Sequence, residues 1–140
     1  PGGGFREQPT GELEQTNATA AAVGYLTMAE AIGREQSQRA AAFLLRMQAP
    51  DGGLRAHEKA TGGDLLSAFT GMLTLAGLDS SHIPNLAAIA RFVRATARPA
   101  GGFSASGLDP GTDIEYTYYG VGCLAILRSV VAASGVGRRN

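Results

Sequence analysis

The chain has 140 residues, with twelve basic and twelve acidic side chains and a formal net charge of zero. Balanced charge argues against nucleic acid as the main partner, because phosphate binding needs a concentrated positive surface. The single cysteine, Cys123, excludes an intrachain disulfide and favours a reducing, cytoplasmic location. No apolar run reaches the roughly 18 residues of a membrane span.

The chain opens on a glycine-rich turn at residues 3–5, and Pro1 precedes it without an initiator methionine. We therefore expect the C-terminal piece of a longer protein, or a processed product. The apolar stretch that follows predicts a helix over 15–31, and a second helix is predicted over 34–48 with charges on one side only.

The second predicted helix is ended by Pro50, which has no amide hydrogen to donate. A second glycine-rich turn follows at residues 52–54, where glycine permits positive φ. A third helix is predicted over 64–76, with Gly77 as the C′ residue directly after it.

The fourth predicted helix follows Ser81, a candidate N-cap, and continues to Ala97. The fifth covers 113–131. Asp64 and Asp113 stand at the starts of the third and fifth helices, where an N-cap acceptor and the positive helix end both favour a carboxylate.

The sequence repeats itself every 49 residues. Each glycine-rich turn closes on an apolar residue, and these are Phe5, Leu54 and Phe103. Ten residues after each of them an apolar stretch begins, at Gln15, Asp64 and Asp113. A fixed period of this size is typical of a solenoid or closed array, in which no unit buries its apolar face alone. We predict one domain with repeats of approximately 1–50, 51–100 and 101–140.

The two helices of each predicted unit differ in character. Those that begin near 15, 64 and 113 are small or apolar on nearly every face, which is typical of buried helices, whereas those near 34 and 84 have one charged face. This alternation predicts an all-α fold, an α/α toroid with about three inner and two outer helices, forming part of a ring.

Two segments carry a resemblance to a known family. The first is a spaced pattern of a basic residue, a small residue, Leu, Gln, Gly and Leu. Its positions are, in this order, Arg39, Ala40, Leu44, Gln48, Gly52 and Leu54. It resembles the QW-type repeat of terpenoid cyclases and protein prenyltransferase β subunits, although Leu54 replaces Trp and Ala97 replaces the next Gln. The segment 101–124 is similar to the last repeats of prenyltransferase β subunits.

The resemblance implies a zinc ion held by Asp, Cys and His, with one open position for catalysis. These ligands correspond to Asp64, Leu66 and Tyr116, so two of the three are absent from this sequence. We predict no zinc site and no other cofactor. The acidic motif of class II terpene cyclases is also absent, since residues 109–113 are interpreted as a turn followed by an N-cap.

A binding surface is still predicted. The resemblance suggests His57 and Lys59 as anchors for a diphosphate. Tyr116, Tyr118 and Tyr119 concentrate aromatic surface at the start of the fifth helix and are candidates for the wall of an apolar cavity. The full set of candidate substrate-binding residues is His57, Lys59, Asp64, Asp113, Glu115, Tyr116 and Tyr119. Ordinary roles stay open for each: a solvated loop, N-caps, a first-turn acid, and aromatic packing.

The repeats and the resemblance together indicate two possible functions. The first is an isoprenoid-handling protein, related to prenyltransferases or terpene cyclases, that binds a prenyl diphosphate or polyene in a central apolar cavity. The second is a non-catalytic helical-repeat module that binds a protein or hydrophobic ligand. Part of a ring leaves apolar edges exposed, so we expect either a missing N-terminal half or a homo-oligomer.

Overall fold

The computed structural model describes residues 2–78 and 84–136, with side chains as far as residue 132. The helices of this part are α1 Thr16–Met28, α2 Arg34–Arg46, α3 Leu65–Gly77, α4 Leu86–Thr96 and α5 Ile114–Val136. Extended pairing in the same residues consists of isolated bridges between single residues. The predicted all-α class is confirmed. No helix in the described ranges has both the length and the apolar character needed to cross a membrane.

The helices lie in two layers. The central helix α3 packs against α1 on one side and α5 on the other, and within the described helices α1 and α5 do not touch. Helix α2 contacts both α1 and α3, and α4 contacts both α3 and α5. The inner layer is therefore α1, α3 and α5, and the outer layer is α2 and α4, as the toroid arrangement predicts.

The end of α3 and the start of α4 differ from the prediction. Helix α4 begins at 86 because the Asn85 side chain accepts a hydrogen bond from the Ala88 amide at 3.0 Å. Ser81, the predicted N-cap, lies outside the described residues. Gly77 is the last residue of α3 rather than the residue beyond it, and Leu78 forms the C-cap in an extended conformation.

Helix α1 ends earlier than predicted, and α5 extends further, to 136 rather than 131. At the end of α1, Glu30 adopts a left-handed φ of 53°. The Ala31 amide donates to the Leu26 carbonyl at 2.8 Å, and the Glu30 amide donates to the Thr27 carbonyl at 3.1 Å. These bonds form a Schellman motif, which stops the helix. Glutamate is an uncommon residue in this conformation, so the sequence contains no glycine signal for the stop.

The glycine-rich turns repeat in conformation as well as in sequence. Gly3, Gly52 and Gly101 have φ values of 98°, 96° and 99°. A Cβ at Gly3 would lie 2.4 Å from the Arg39 carbonyl oxygen in α2, and one at Gly52 would lie 2.4 Å from the Ala88 carbonyl oxygen in α4. The first two turns can lie against the outer helices only because Gly3 and Gly52 have no side chain.

The apolar residues of the second and third turns pack onto inner helices. Leu54 is fully buried, and a Cβ at Gly71 would come within 2.5 Å of its side chain. Phe103 lies as closely over Gly120, since a Cβ at Gly120 would come within 2.4 Å of the Phe103 ring. Helices α3 and α5 therefore need a glycine at these positions to admit the turn.

The main core lies among α3, α4 and α5. It is made of apolar side chains from these helices and from the second turn: Leu54, Leu65, Ala68, Met72, Ile89, Phe92, Val93, Cys123 and Leu127. A smaller cluster joins α2 to the end of α3. The charged side chains Arg91 and Arg94 of α4 are exposed, so α4 covers the core with one face, as expected for an outer helix.

A second repeated contact connects successive units. The Thr16 amide, at the start of α1, donates to the Ala56 carbonyl at 2.8 Å, and the Leu65 amide, at the start of α3, donates to the Ala105 carbonyl at 2.9 Å. The first amides of a helix have no partner within the helix. The loop after the next glycine turn supplies one, so each unit completes the one before it.

The close contact of the second turn can be tested with Gly52→Ala, with Gly101→Ala as the matched control. The two glycines have nearly the same positive φ, but nothing lies within 4 Å of a Cβ at Gly101. We expect Gly101→Ala to lower the free energy of unfolding by about 1–2 kcal/mol, the cost of the left-handed backbone. Gly52→Ala should cost roughly 1–3 kcal/mol more, because it also crowds α4. Urea unfolding followed by circular dichroism measures both, and equal losses would contradict the close contact.

Candidate functional site

Several predicted site residues lie at the N-terminal ends of α3 and α5. Asp64 directly precedes α3, Asp113 directly precedes α5, and Glu115 and Tyr116 are in the first turn of α5. Burial raises the pKa of the Tyr116 hydroxyl, and the nearby carboxylates of Asp64, Asp113, Glu115 and Asp109 raise it further. The carboxylates that precede α3 and α5 are thus both near the Tyr116 hydroxyl.

The two aspartates act as helix caps, as their positions predict. Asp64 accepts a hydrogen bond from the Ser67 amide at 2.7 Å and another from the Ser67 hydroxyl at 2.8 Å, one on each carboxylate oxygen. Asp113 accepts from the Tyr116 amide at 2.7 Å. Both carboxylates thus stabilise helix ends, and Asp64 has both oxygens engaged.

Four aromatic rings gather where α3 and α5 pack together. The Phe69 ring lies 5.4 Å from Tyr118 and 5.5 Å from Tyr119, between centroids, and Tyr116 lies 6.2 Å from Tyr119. We call these four residues the aromatic cluster. The concentration of tyrosines in α5 predicts three of its members but not Phe69, although Phe69 precedes Tyr118 by one repeat of 49 residues. This spacing, which places Phe69 and Tyr118 at equivalent positions of successive repeats, was the sequence signal that pointed to Phe69.

Within the cluster, Glu115 fixes the Tyr119 hydroxyl. The hydroxyl donates to a Glu115 carboxylate oxygen at 2.8 Å, one helical turn away. This hydrogen bond, together with partial burial and the Glu115 charge, raises the pKa of Tyr119 to about 12. Tyr119 is therefore a neutral donor held in place, and Glu115 is the acceptor that holds it.

His57 and Lys59 lie in the loop that follows the second glycine turn, beside the start of α1. The His57 backbone pairs with Gln15, the residue before α1, while Lys59 is exposed. The His57 Nδ1 atom is buried, and no hydrogen-bond partner for it is present in the described residues. Because α3 separates α1 from α5, this loop at α1 is apart from the aromatic cluster, which lies where α3 and α5 pack together.

The inner layer exposes apolar side chains of α3. This helix has inner helices on both sides and outer helices behind it, yet Leu73 is exposed, and Leu66 and Phe69 are only half-buried. We call the side of α3 that carries Leu66, Phe69 and Leu73 the inner surface. It continues onto α5 at Tyr118, which is 63% exposed. The inner helices thus offer an apolar and aromatic surface on the side that the outer layer leaves open.

A cleft of about 230 Å³ lies beside the first turn, away from the inner surface. Its charged lining residues include Arg6, Glu12, Glu14, Arg46 and Glu58. Two of them hold the turn, since Arg46 donates to the Gly2 carbonyl at 2.6 Å and Glu14 accepts from the Gly2 amide at 2.8 Å. The mixed charge and these internal bonds give the cleft a structural role.

The donor set does not fit a zinc ion. Leu66 and Tyr116 stand where the resemblance places Cys and His, and Asp64 uses both oxygens on Ser67. Among residues 2–78 and 84–136, no three His, Cys, Asp or Glu side chains are grouped to hold a metal. Cys123 is fully buried in the core, and burial raises its pKa to about 12, so the thiol stays protonated.

The described helices, in two layers joined by glycine turns at a fixed period, define an α/α toroid. The family model of the prenyltransferase alpha-alpha toroid domain matches residues 1–138. The chain therefore belongs to the prenyltransferase alpha-alpha toroid domain family, as the resemblance of its repeats predicts. No curated protein matches the sequence.

The Tyr119–Glu115 hydrogen bond predicts a change of stability at alkaline pH. The pKa of Tyr119 is raised from about 10 in the unfolded chain to about 12 in the folded protein. Its contribution to stability is therefore complete below pH 10 and is lost as the pH rises towards 12. The free energy of unfolding of Tyr119→Phe should fall less steeply between pH 10 and 12 than that of the wild type. Urea unfolding at several pH values measures this, with Tyr25→Phe, an exposed tyrosine, as the control. Parallel curves for Tyr119→Phe and wild type would contradict the hydrogen bond.

Proposed function

We propose that this protein handles isoprenoids, binding a prenyl diphosphate or polyene on the apolar side of its inner helices without zinc. The observation that carries the proposal is the exposed inner surface of α3, with the aromatic cluster beside it. A helix packed on both sides and behind normally exposes polar residues on its remaining face. An apolar remaining face is typical of a ligand surface.

The aromatic cluster suits an unsaturated chain. Ring faces carry partial negative charge, so they attract alkene edges and developing carbocations. Phe69 and Tyr118 are arranged edge to face, at an interplanar angle of 69°. Such an arrangement presents both a ring face and a ring edge to a ligand on the inner surface.

The charge distribution separates the two ends of the proposed ligand. Asp64, Asp113 and Glu115 surround the start of α5 and would repel a diphosphate there. His57 and Lys59, beside the start of α1, would instead hold the anionic head, with Lys59 acting as a point charge. In this arrangement the acidic residues lie near the apolar prenyl chain of the ligand. There they favour a neutral or cationic group on the ligand.

A second function is favoured by a different observation. Asp64 and Asp113 are engaged as helix caps, and the zinc positions of the family hold Leu66 and Tyr116. A toroid that keeps its fold without the metal ligands suits a non-catalytic module that binds a protein or a hydrophobic ligand. If the chain is active, its chemistry is prenyltransferase-like or terpene-cyclase-like.

Calorimetric titration with farnesyl diphosphate, farnesol and inorganic pyrophosphate distinguishes these functions. We expect Leu73→Asp to weaken both farnesyl ligands about tenfold or more, because it places a charge on the inner surface. Lys59→Ala should weaken farnesyl diphosphate about tenfold but leave farnesol unchanged. Arg91→Ala, an exposed cation on the outer helix α4, is the control and should bind like the wild type.

The outcomes separate the head-group anchor from the apolar surface. Binding of farnesol without any effect of Lys59→Ala would remove the anchor and keep the surface. No heat from either farnesyl ligand would contradict the isoprenoid function and favour the non-catalytic module.

A further inference from the structure

Equivalent residues of the three inner helices differ sharply in exposure. Thr16, Leu65 and Ile114 open α1, α3 and α5 and are spaced 49 residues apart. Thr16 and Leu65 are 0% exposed, whereas Ile114 is 87% exposed. Because the three positions are related by the repeat, Ile114 occupies a place that is covered in the two preceding units.

The same difference continues along α5. Met72 is buried, but Val121, one repeat later, is 55% exposed. Leu65 and Met72 belong to the core that includes Cys123 of α5, so the next inner helix covers them. We define the α5 edge as Ile114 and Val121. By the repeat, it is the face on which a further inner helix packs.

Helix α1 carries the opposite face. Cys123 and Ile126 of α5 are fully and partly buried in the core shared with α3. Their equivalents in α1, two repeats earlier, are Tyr25 and Met28, which are 67% and 81% exposed. We define the α1 edge as Tyr25 and Met28. It is the face that an inner helix turns towards the unit before it.

The loops show the same pattern. The carbonyls of Ala56 and Ala105 accept from the first amides of α1 and α3. The equivalent loop residue in the first unit is Glu7, which is exposed. The next amide in the series is that of Ile114. Within the described residues, neither the Glu7 carbonyl nor the Ile114 amide makes this contact.

The charges at the two edges are mixed. Asp113 and Glu115 flank Ile114 at the α5 edge, and Arg6 precedes Glu7 beside the start of α1. The equivalent of Arg6 in the second unit is Arg55, whose carbonyl accepts from the Thr16 hydroxyl at 2.7 Å. A loop docked in this register brings both Arg6 and the Glu7 carboxylate beside Asp113 and Glu115, so the junction rests on its apolar contacts and its backbone register.

We propose that the α5 edge of one chain binds the α1 edge of a second copy, which continues the inner layer from chain to chain. At this junction Ile114 is buried as Leu65 is within the chain, and its amide donates to the Glu7 carbonyl of the second copy. The junction thus repeats the α1–α3 and α3–α5 contacts already present in one chain. A head-to-tail contact of this kind closes into a ring or grows into a filament. The number of chains in the assembly therefore shows which of the two forms.

Analytical ultracentrifugation across a range of concentrations tests the junction, with Val121→Arg on the α5 edge and Tyr25→Arg on the α1 edge. Both positions are exposed, so the fold should survive, and circular dichroism checks that it does. Leu108→Arg, at a loop position that is 98% exposed, is the matched control. The wild type and the control should self-associate alike. Each edge variant should raise the dissociation constant about tenfold or more.

Mixing the two edge variants identifies which faces meet. Val121→Arg keeps an intact α1 edge and Tyr25→Arg keeps an intact α5 edge, so a one-to-one mixture should form a heterodimer through the single intact junction. If Tyr25→Arg alone associates like the wild type, α5 edges pair with each other and the proposal is overturned. A wild-type chain that stays monomeric at every concentration overturns it as well, and points to a different polypeptide as the occupant.

Discussion

The close approach of a glycine turn to an outer helix is the contact on which this architecture depends. At Gly52 a positive φ and the absence of a Cβ let the turn lie against the Ala88 carbonyl, and Gly3 makes the same contact with Arg39. Once the turn is held there, its apolar residue reaches the inner helix, as Leu54 does over Gly71. One backbone conformation thus sets the distance between the layers and the position of each inner helix. The starts of the inner helices, where the candidate site lies, follow from it.

Much of this fold could be predicted from the sequence, because its determinants are local and periodic. Glycines at a fixed spacing indicated the turns, and Asp64 and Asp113 indicated the helices that they cap. Helix ends with less specific signals were not predicted. Glu30 stops α1 in a left-handed conformation that is usually taken by glycine, and Asn85 rather than a serine caps α4.

The candidate site could be predicted only in part, since it depends on which units touch. The tyrosines of α5 were evident from their concentration in one stretch, but Phe69 joins them only through the packing of α3 against α5. The positions of His57 and Lys59 depend on which inner helix their loop covers. The loops after the second and third turns cover the inner helix of the preceding unit, so the loop with His57 and Lys59 lies against α1 and not beside the aromatic cluster. Family membership settles the fold, while the polar residues Asp64 and Asp113 beside the inner surface serve as helix caps.

Amide hydrogen exchange at the first residues of the helices tests most directly whether each unit completes the one before it. Thr16 and Leu65 occupy positions whose amides have no partner within a helix, yet each donates to a carbonyl in the loop of the next unit. Arg34, at the start of the outer helix α2, is the matched reference, since no such loop carbonyl accepts from its amide in the described residues. Residue-resolved exchange by nuclear magnetic resonance should show slow exchange at Thr16 and Leu65 and fast exchange at Arg34. Equally fast exchange at all three would contradict the stacked arrangement.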